Sequence, residues 1–253
     1  MGKKYDIIWH ERLDSTNDEA GRTLDSLDNL SVIAAESQTA GRGQRGNVWK
    51  SAPGDNLTFS IVLKPGDSGI PAIKASRQFI LSEVAALSIS AFLNENGVSA
   101  RIKWPNDIYV GDRKICGILI EHRIRGAQIS ASIIGIGLNL NQTAFPPDLP
   151  NPDSMKLETG RDFDPKSSLW RLTDIFAGLL NKTLSSEEGA RETESEYLDS
   201  LYRKDETHNF IDSASETAFE GIIRGISPDA RLLVEIPGIG LKAFSFKEIR
   251  YVI

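Results

Sequence analysis

The segment Gly41-Arg42-Gly43-Gln44-Arg45-Gly46-Asn47-Val48-Trp49 constrains this chain more than any other stretch. Three glycines, two arginines and a tryptophan fall in these nine residues, and each glycine inside a helix or strand is destabilising. The segment is therefore a loop, and the apolar run Val32-Ile33-Ala34-Ala35 before it reads as a strand that delivers it. Glycine lets backbone N–H groups approach an anion closely, and arginine adds a fixed fork of donors suited to carboxylate or phosphate. The two arginines also repel each other until an anion arrives. Gly41, Gly43 and Gly46 match G-x-G-x-x-G, yet that fingerprint needs a helix to open at its end. Residues 48–55 instead read as loop and turn, and no Gly-Lys-Ser/Thr follows. Standing alone, the same letters also describe a solvated basic surface loop.

The loop is basic in a chain that is not. Over 253 residues the net charge is −6, which argues against a general binder of nucleic acid or membrane surface but leaves room for a local anion site. With 40% hydrophobic and 25% charged residues, the composition is that of an ordinary soluble globular protein. The single cysteine, Cys116, excludes an internal disulfide and a cysteine-based metal site. His10, His122 and His208 show no ligand spacing. No run of 18 apolar residues exists and the N-terminus lacks a signal peptide's apolar core, so the expected location is cytoplasmic.

Strands are expected over residues 5–13, 32–36, 57–63, 108–110, 114–122 and 127–140. Ser15 with Asp18 three residues on starts a helix running to about residue 27. Pro71 opens a long helix to residue 94, with Ile73, Ile80, Val84, Leu87 and Ala91 as its buried stripe. Helices are expected near 155–159, 166–184 and 187–202. From Ala218 the pattern changes to short strands separated by Ser227-Pro228-Asp229 and Pro237-Gly238. The fold class is α/β (α+β): a mixed, largely antiparallel sheet with helices on one side, plus a small C-terminal SH3-like β-barrel. The expected division is 1–208 for the catalytic unit and 209–253 for the barrel.

Lys103-Trp104-Pro105-Asn106-Asp107 places a cation, an amide and a carboxylate beside a turn. The set suits a nucleotide, with the cation on phosphate and the carboxylate on a metal ion; a structural turn with Trp104 in the core fits as well. Lys114 precedes Gly117 by three residues, and a glycine inside a strand marks a bulge or a close approach. Gly135, Gly137 and Asn139 alternate and so share one face of their strand. That face is a shallow slot for a flat ring with Asn139 at its mouth, or a surface packed tightly under a helix.

Taken in order, Asp14-Ser15-Thr16-Asn17, Gln38 to Trp49, Lys103 to Asp107, Arg113-Lys114-Ile115-Cys116-Gly117-Ile118-Leu119-Ile120-Glu121 and Gly135-Ile136-Gly137-Leu138-Asn139 resemble the successive signatures of biotin–protein ligases. The resemblance is strong over 14–141 and weak over 145–210. It implies an enzyme of the biotin–[acetyl-CoA-carboxylase] ligase type. ATP and biotin are its substrates, with Mg²⁺, and biotinyl-5′-AMP is its intermediate. The acceptor is a lysine of a biotin carboxyl carrier protein or domain. The same resemblance assigns Ser15, Thr16, Asn17, Gln38, Gly41, Arg42, Gly43, Lys114, Gly117 and Gly135 to biotin. It assigns Arg45, Gly46, Trp49, Lys103, Asn106, Asp107 and Asn139 to ATP, with Asp107 the candidate for Mg²⁺. Arg42, Lys103 and Lys114 are the catalytic expectations.

Many relatives carry a second arginine where this chain has Gln44, and some a basic residue where it has Asn47. Some carry an N-terminal DNA-binding domain; here the first motif begins at residue 14, so the expectation is a monofunctional enzyme with no DNA and no membrane partner. A homodimer is compatible with the sequence. The rival readings are a lipoate or octanoate ligase of the same fold and a non-catalytic biotin-binding regulator. The Arg-Arg-x-Ser-Gly-Gly-Gly type segment of the first is absent.

Overall fold

The computed structural model describes residues 5–253, apart from the side chain of Arg45. Seven strands build the main sheet: β1 (Ile7–Leu13), β2 (Val32–Gln38), β3 (Leu57–Leu63), β4 (Arg101–Lys103), β5 (Asp107–Val110), β6 (Arg113–Arg125) and β7 (Gln128–Leu138). Their order is β1-β2-β3-β7-β6-β5-β4. Only β1 and β2 run parallel. Between them lies helix α1 (Thr16–Arg22), the crossover a parallel pair requires. The hairpins β5–β6 and β6–β7 turn at Gly111 and Gly126, whose φ values of 53° and 62° lie in the left-handed region that tight hairpins demand.

One face of the sheet carries the main core. Leu57, Phe59, Ile61 and Leu63 of β3 and Ile134, Ile136 and Leu138 of β7 point into it. Helices α2 (Phe79–Glu95), α4 (Pro165–Ser185) and α5 (Glu187–Asp199) cover that face; the short α3 (Met155–Thr159) adds the fully buried Met155. The expectation of helices on one side only is corrected by α1. Ala20 packs with Ile33, Val62, Ala131 and Ile133 in a separate cluster on the opposite face. Strand β3 is buried along its whole length because it is covered from both sides.

The helix expected from Pro71 begins instead at Phe79. The amide of Ala75 donates to the Ala127 carbonyl at 2.9 Å and that of Ile129 to the Ile73 carbonyl at 2.9 Å. Pairing with the start of β7 thus takes the backbone groups a helix would need.

A second, five-stranded antiparallel sheet follows: β8 (Thr207–Asp212), β9 (Thr217–Ile226), β10 (Leu232–Ile236), β11 (Gly240–Phe244) and β12 (Ile249–Tyr251), in the order β11-β10-β9-β8-β12. It docks on Trp104, whose Nε1 donates to the Ala230 carbonyl at 3.2 Å and whose ring meets Phe246 edge-on at 4.9 Å. Trp104 is therefore a packing residue between the two sheets.

Candidate active site

Strand register assembles the site. Ala35, Thr58, Gly137, Gly117, Asp107 and Lys103 are successive partners across β2, β3, β7, β6, β5 and β4. Residues directly opposite on neighbouring strands point to one face, here the face that α1 partly covers. The adjacent row holds Ile33, Ser60, Gly135 and Leu119. With side chains missing at Gly117, Gly135 and Gly137, the sheet surface becomes a trough.

Two side chains of this chain lie in it. A β-carbon at Gly135 would come within 2.1 Å of Asn17 Oδ1, and one at Gly137 within 2.3 Å of the Trp49 ring. The flat ring that the slot accommodates is thus the indole of Trp49, which also stands 3.1 Å from a β-carbon at Gly117.

The loop after β2 brings Trp49 there. Gly43 N donates to the Asn47 carbonyl at 2.7 Å and Trp49 N to the Gly41 carbonyl at 2.9 Å. Gly46, at φ 82°, turns the chain between them. Gly41 has no room for a side chain, since a β-carbon would sit 2.5 Å from the Trp49 carbonyl oxygen.

At one end of the trough, Gln38 Oε1 accepts from Thr16 N at 2.8 Å. Ser60 Oγ stands 2.8 Å from Thr16 Oγ1 and donates to Asn17 Oδ1 at 2.6 Å. Asn17 Nδ2 donates to the Leu119 carbonyl at 3.3 Å and to Glu121 Oε2 at 2.8 Å. Ser15 caps α1, accepting from Asp18 N at 3.5 Å. These buried groups hold one another in fixed orientations, which suits a small polar ring.

At the other end Lys114 pairs with Asp107 at 2.7 Å and lies 5.8 Å from the Trp49 ring centre. Asn106 donates to the Ile118 carbonyl at 2.8 Å and reaches the cavity. Above the trough, Arg42 grips Glu121 with both guanidinium ends, at 3.1 and 2.6 Å, and Asp18 at 2.6 Å. The anion expected to relieve the basic loop is thus supplied by the chain itself. The cavity that remains holds about 50 Å³.

Most of the expected site residues meet at this cavity, among them Ser15, Thr16, Asn17, Gln38, Arg42 and Gly43, and beyond them Trp49, Asn106, Lys114, Gly117 and Gly135. Two lie elsewhere. Lys103 closes the register row, but its ammonium sits 4.9 Å from the ring centres of both Tyr109 and Tyr251, where burial pushes its pKa down. Asn139 is buried rather than at a mouth, because β7 ends at Leu138 and the chain turns inward; its Nδ2 donates to the Asp153 carbonyl at 2.8 Å. Gly46 forms the exposed turn, and the side chain of Arg45 falls outside the described residues. Cys116 faces the main core, where burial pushes its thiol pKa up.

Three further residues of the site carry no functional signal in the sequence. Asp18 stood out only as a capping partner, and Glu121 only as the end of a motif. Ser60, with Thr58, breaks the apolar run of β3 at alternate positions, the period-2 mark of a strand with one polar face. Among the described residues no three His, Cys, Asp or Glu side chains gather as a metal site.

Residues 9–139 match the model of the Biotin/lipoate A/B protein ligase family. The biotin--[acetyl-CoA-carboxylase] ligase of Paracoccus denitrificans is 36% identical over 172 residues, covering 66% of this chain and 69% of that one. The bifunctional ligase/repressor BirA of Escherichia coli K12 is 30% identical over 234 residues, covering 90% of this chain and 68% of that protein. Of the Bacillus subtilis bifunctional ligase/repressor BirA the match spans 43%. The biotin protein ligase of Aquifex aeolicus in complex with biotin and ATP superposes with a TM-score of 0.79 at 25% identity, over 98% of this chain and 99% of that chain.

Proposed function

This chain belongs to the biotin/lipoate A/B protein ligase family, and we propose that it works as a biotin–protein ligase. In the first step an oxygen of biotin's carboxylate attacks the α-phosphorus of ATP. The bond to the bridging oxygen of the β-phosphate breaks, and pyrophosphate leaves with those electrons. In the second, the amine of a carrier-domain lysine attacks the acyl carbon of biotinyl-5′-AMP, loses a proton, and AMP departs. Both nucleophiles come from substrates, so the protein's task is orientation and charge placement.

The observation that carries this reading is the trough itself. A polar head built by Thr16, Asn17, Gln38 and Ser60 lies at one end, and Lys114 at the other, over side-chain-free strand. The head orients the ureido ring. Lys114 meets the carboxylate and the α-phosphate, where the two negative groups must approach; a preorganised cation there is worth a few kcal/mol of barrier. Asn106 and Trp49 border the nucleotide. Asp107, beside Lys114, is the carboxylate available for Mg²⁺, which when bound neutralises phosphate charge. One carboxylate suffices for an ion held chiefly by phosphates and water.

The proposed partner is a carrier-domain lysine in the cytoplasm rather than DNA, a reading supported by the net charge of −6. No helix among the described residues is long and apolar enough to cross a membrane. The test is labelling of a purified biotin carboxyl carrier domain with ATP and biotin, and with lipoate or octanoate in parallel. Labelling with biotin alone is expected; transfer of lipoate or octanoate in its place would overturn the reading.

A further inference from the structure

The contacts of Arg42 give it a task beyond that of a cation lining the cavity. Its guanidinium makes three hydrogen bonds, all to carboxylates of this chain: Asp18 on α1 at 2.6 Å, and Glu121 on β6 at 3.1 and 2.6 Å. The fork-to-fork geometry with Glu121 is the strong form of an arginine–carboxylate contact. Two carboxylates on one guanidinium leave the cluster with a formal charge of −1, which repels rather than invites an incoming anion.

The cluster also spans three elements. Arg42 lies on the loop, Asp18 on the helix over one end of the trough, and Glu121 on the strand beneath. Glu121 is in turn held by Asn17 Nδ2 at 2.8 Å, and Asn17 by Ser60 and by the close approach to Gly135. The anchor is therefore tied into the floor of the site. Seven residues further along the loop, Trp49 lies over Gly137 and Gly117. With the loop in this position the cavity of about 50 Å³ is well below the ~300–1,000 Å³ of sites that enclose small molecules. Passage of a substrate or product must lift the loop, and lifting it must part Arg42 from its two carboxylates.

We infer that Asp18 and Glu121 are positioning residues that act through Arg42 as a latch on residues 41–49, setting how often the loop opens. In the ligase reading, on which this consequence rests, the latch sets the rate at which biotinyl-5′-AMP escapes before transfer. Lys114, which also lines the cavity and has Asp107 as its carboxylate partner, then serves the substrate.

The test uses amide hydrogen exchange of the intact protein without added ligands, so it does not depend on the identity of the substrate. The amides of Gly43 and Trp49, bonded across the loop, are the reporters. Glu121→Gln keeps an acceptor for Asn17 while removing the charge, and Asp18→Asn provides a more conservative exposed change should the first variant fold poorly. Each is expected to speed exchange at these amides about fivefold, the scale of a partly exposed ion pair. Glu19→Gln, which alters the neighbouring Arg22 contact instead, should leave them unchanged. In an Arg42→Met background, adding Glu121→Gln should have no further effect, a result that a mere packing role for Glu121 would not produce. Unchanged exchange in both single variants, or additive effects in the double variant, would overturn the latch.

Discussion

The indole of Trp49 lies so close over Gly137 that a β-carbon there would fall 2.3 Å from its Cε2 atom and 2.6 Å from Nε1. The strand cannot give way, because Gly137 is paired on both sides, to Thr58 and to Gly117, so the ring and its loop are what must move. The missing side chain at Gly137 makes room for the indole, which in the proposed function walls the nucleotide side of the trough.

Gly137→Ala should therefore lift the loop without unfolding the sheet. Apparent affinities for biotin and ATP should weaken at least about tenfold, while the melting temperature falls by only a few degrees. Titration calorimetry and a thermal melt on the same sample read both. Native affinities in this variant would show that the seat of Trp49 does not matter to binding.

Lys114 and Lys103 separate cleanly. Lys114→Ala should lower the single-turnover rate of adenylate formation by about a hundredfold, the usual effect of losing one preorganised charge. Lys103→Met keeps the stem between Tyr109 and Tyr251 and should cost less than about tenfold. Equal losses in rapid-quench experiments would return Lys103 to the reacting atoms.

Glu83 gives a pH signature away from the site. It lies buried on α2, where desolvation first and Glu194 second raise its pKa from 4.5 to about 7, against a smaller pull from Arg77. The unfolded chain gives up this proton more readily, so stability falls as pH rises from about 4.5 to 7 and levels off above. Glu83→Gln should be more stable than the parent at pH 8 by up to about 3 kcal/mol, at about 1.4 kcal/mol per unit, with the gap closing towards pH 4.5. Denaturant midpoints at both pH values test this; a gap independent of pH would mean that Glu83 carries no such penalty.

Much of this was legible in the sequence because the features that build the trough are local. Strand β3, the hairpin glycines and the alternation of Gly135 with Gly137 follow from period-2 patterning and turn chemistry. What could not be read was which side chain meets which across the sheet. The reach of Trp49 to Gly137, and of Arg42 to Asp18 and Glu121, spans elements far apart in sequence, and no spacing rule encodes it. A lysine beside Asn106 and Asp107 reads as a phosphate ligand; the tyrosines that Lys103 meets come from β5 and from β12 of the second sheet, and no local pattern announces them. Short polar strands were missed for a related reason. β4 has three residues, and β8 includes His208 and Asn209, so neither offers enough apolar alternation to stand above its surroundings.

Gln44 borders both the cavity and the larger groove beside it, which holds about 680 Å³ between the two sheets. A neutral hydrogen bond is worth roughly 0.5–1.5 kcal/mol against roughly 1.5–3 for a charge-assisted one. Gln44→Arg should accordingly slow release of biotinyl-5′-AMP about tenfold and reduce stray labelling of bystander lysines. An unchanged or faster release rate in matched buffer would remove position 44 from retention of the intermediate.

In the proposed function this trough activates biotin with ATP. The most direct measurement is exchange of labelled pyrophosphate into ATP by the purified protein, with and without biotin and with no acceptor present. Exchange is expected to require biotin, to fail with lipoate or octanoate, and to drop about a hundredfold in Lys114→Ala. Exchange that proceeds without biotin, or none in its presence, would contradict that function.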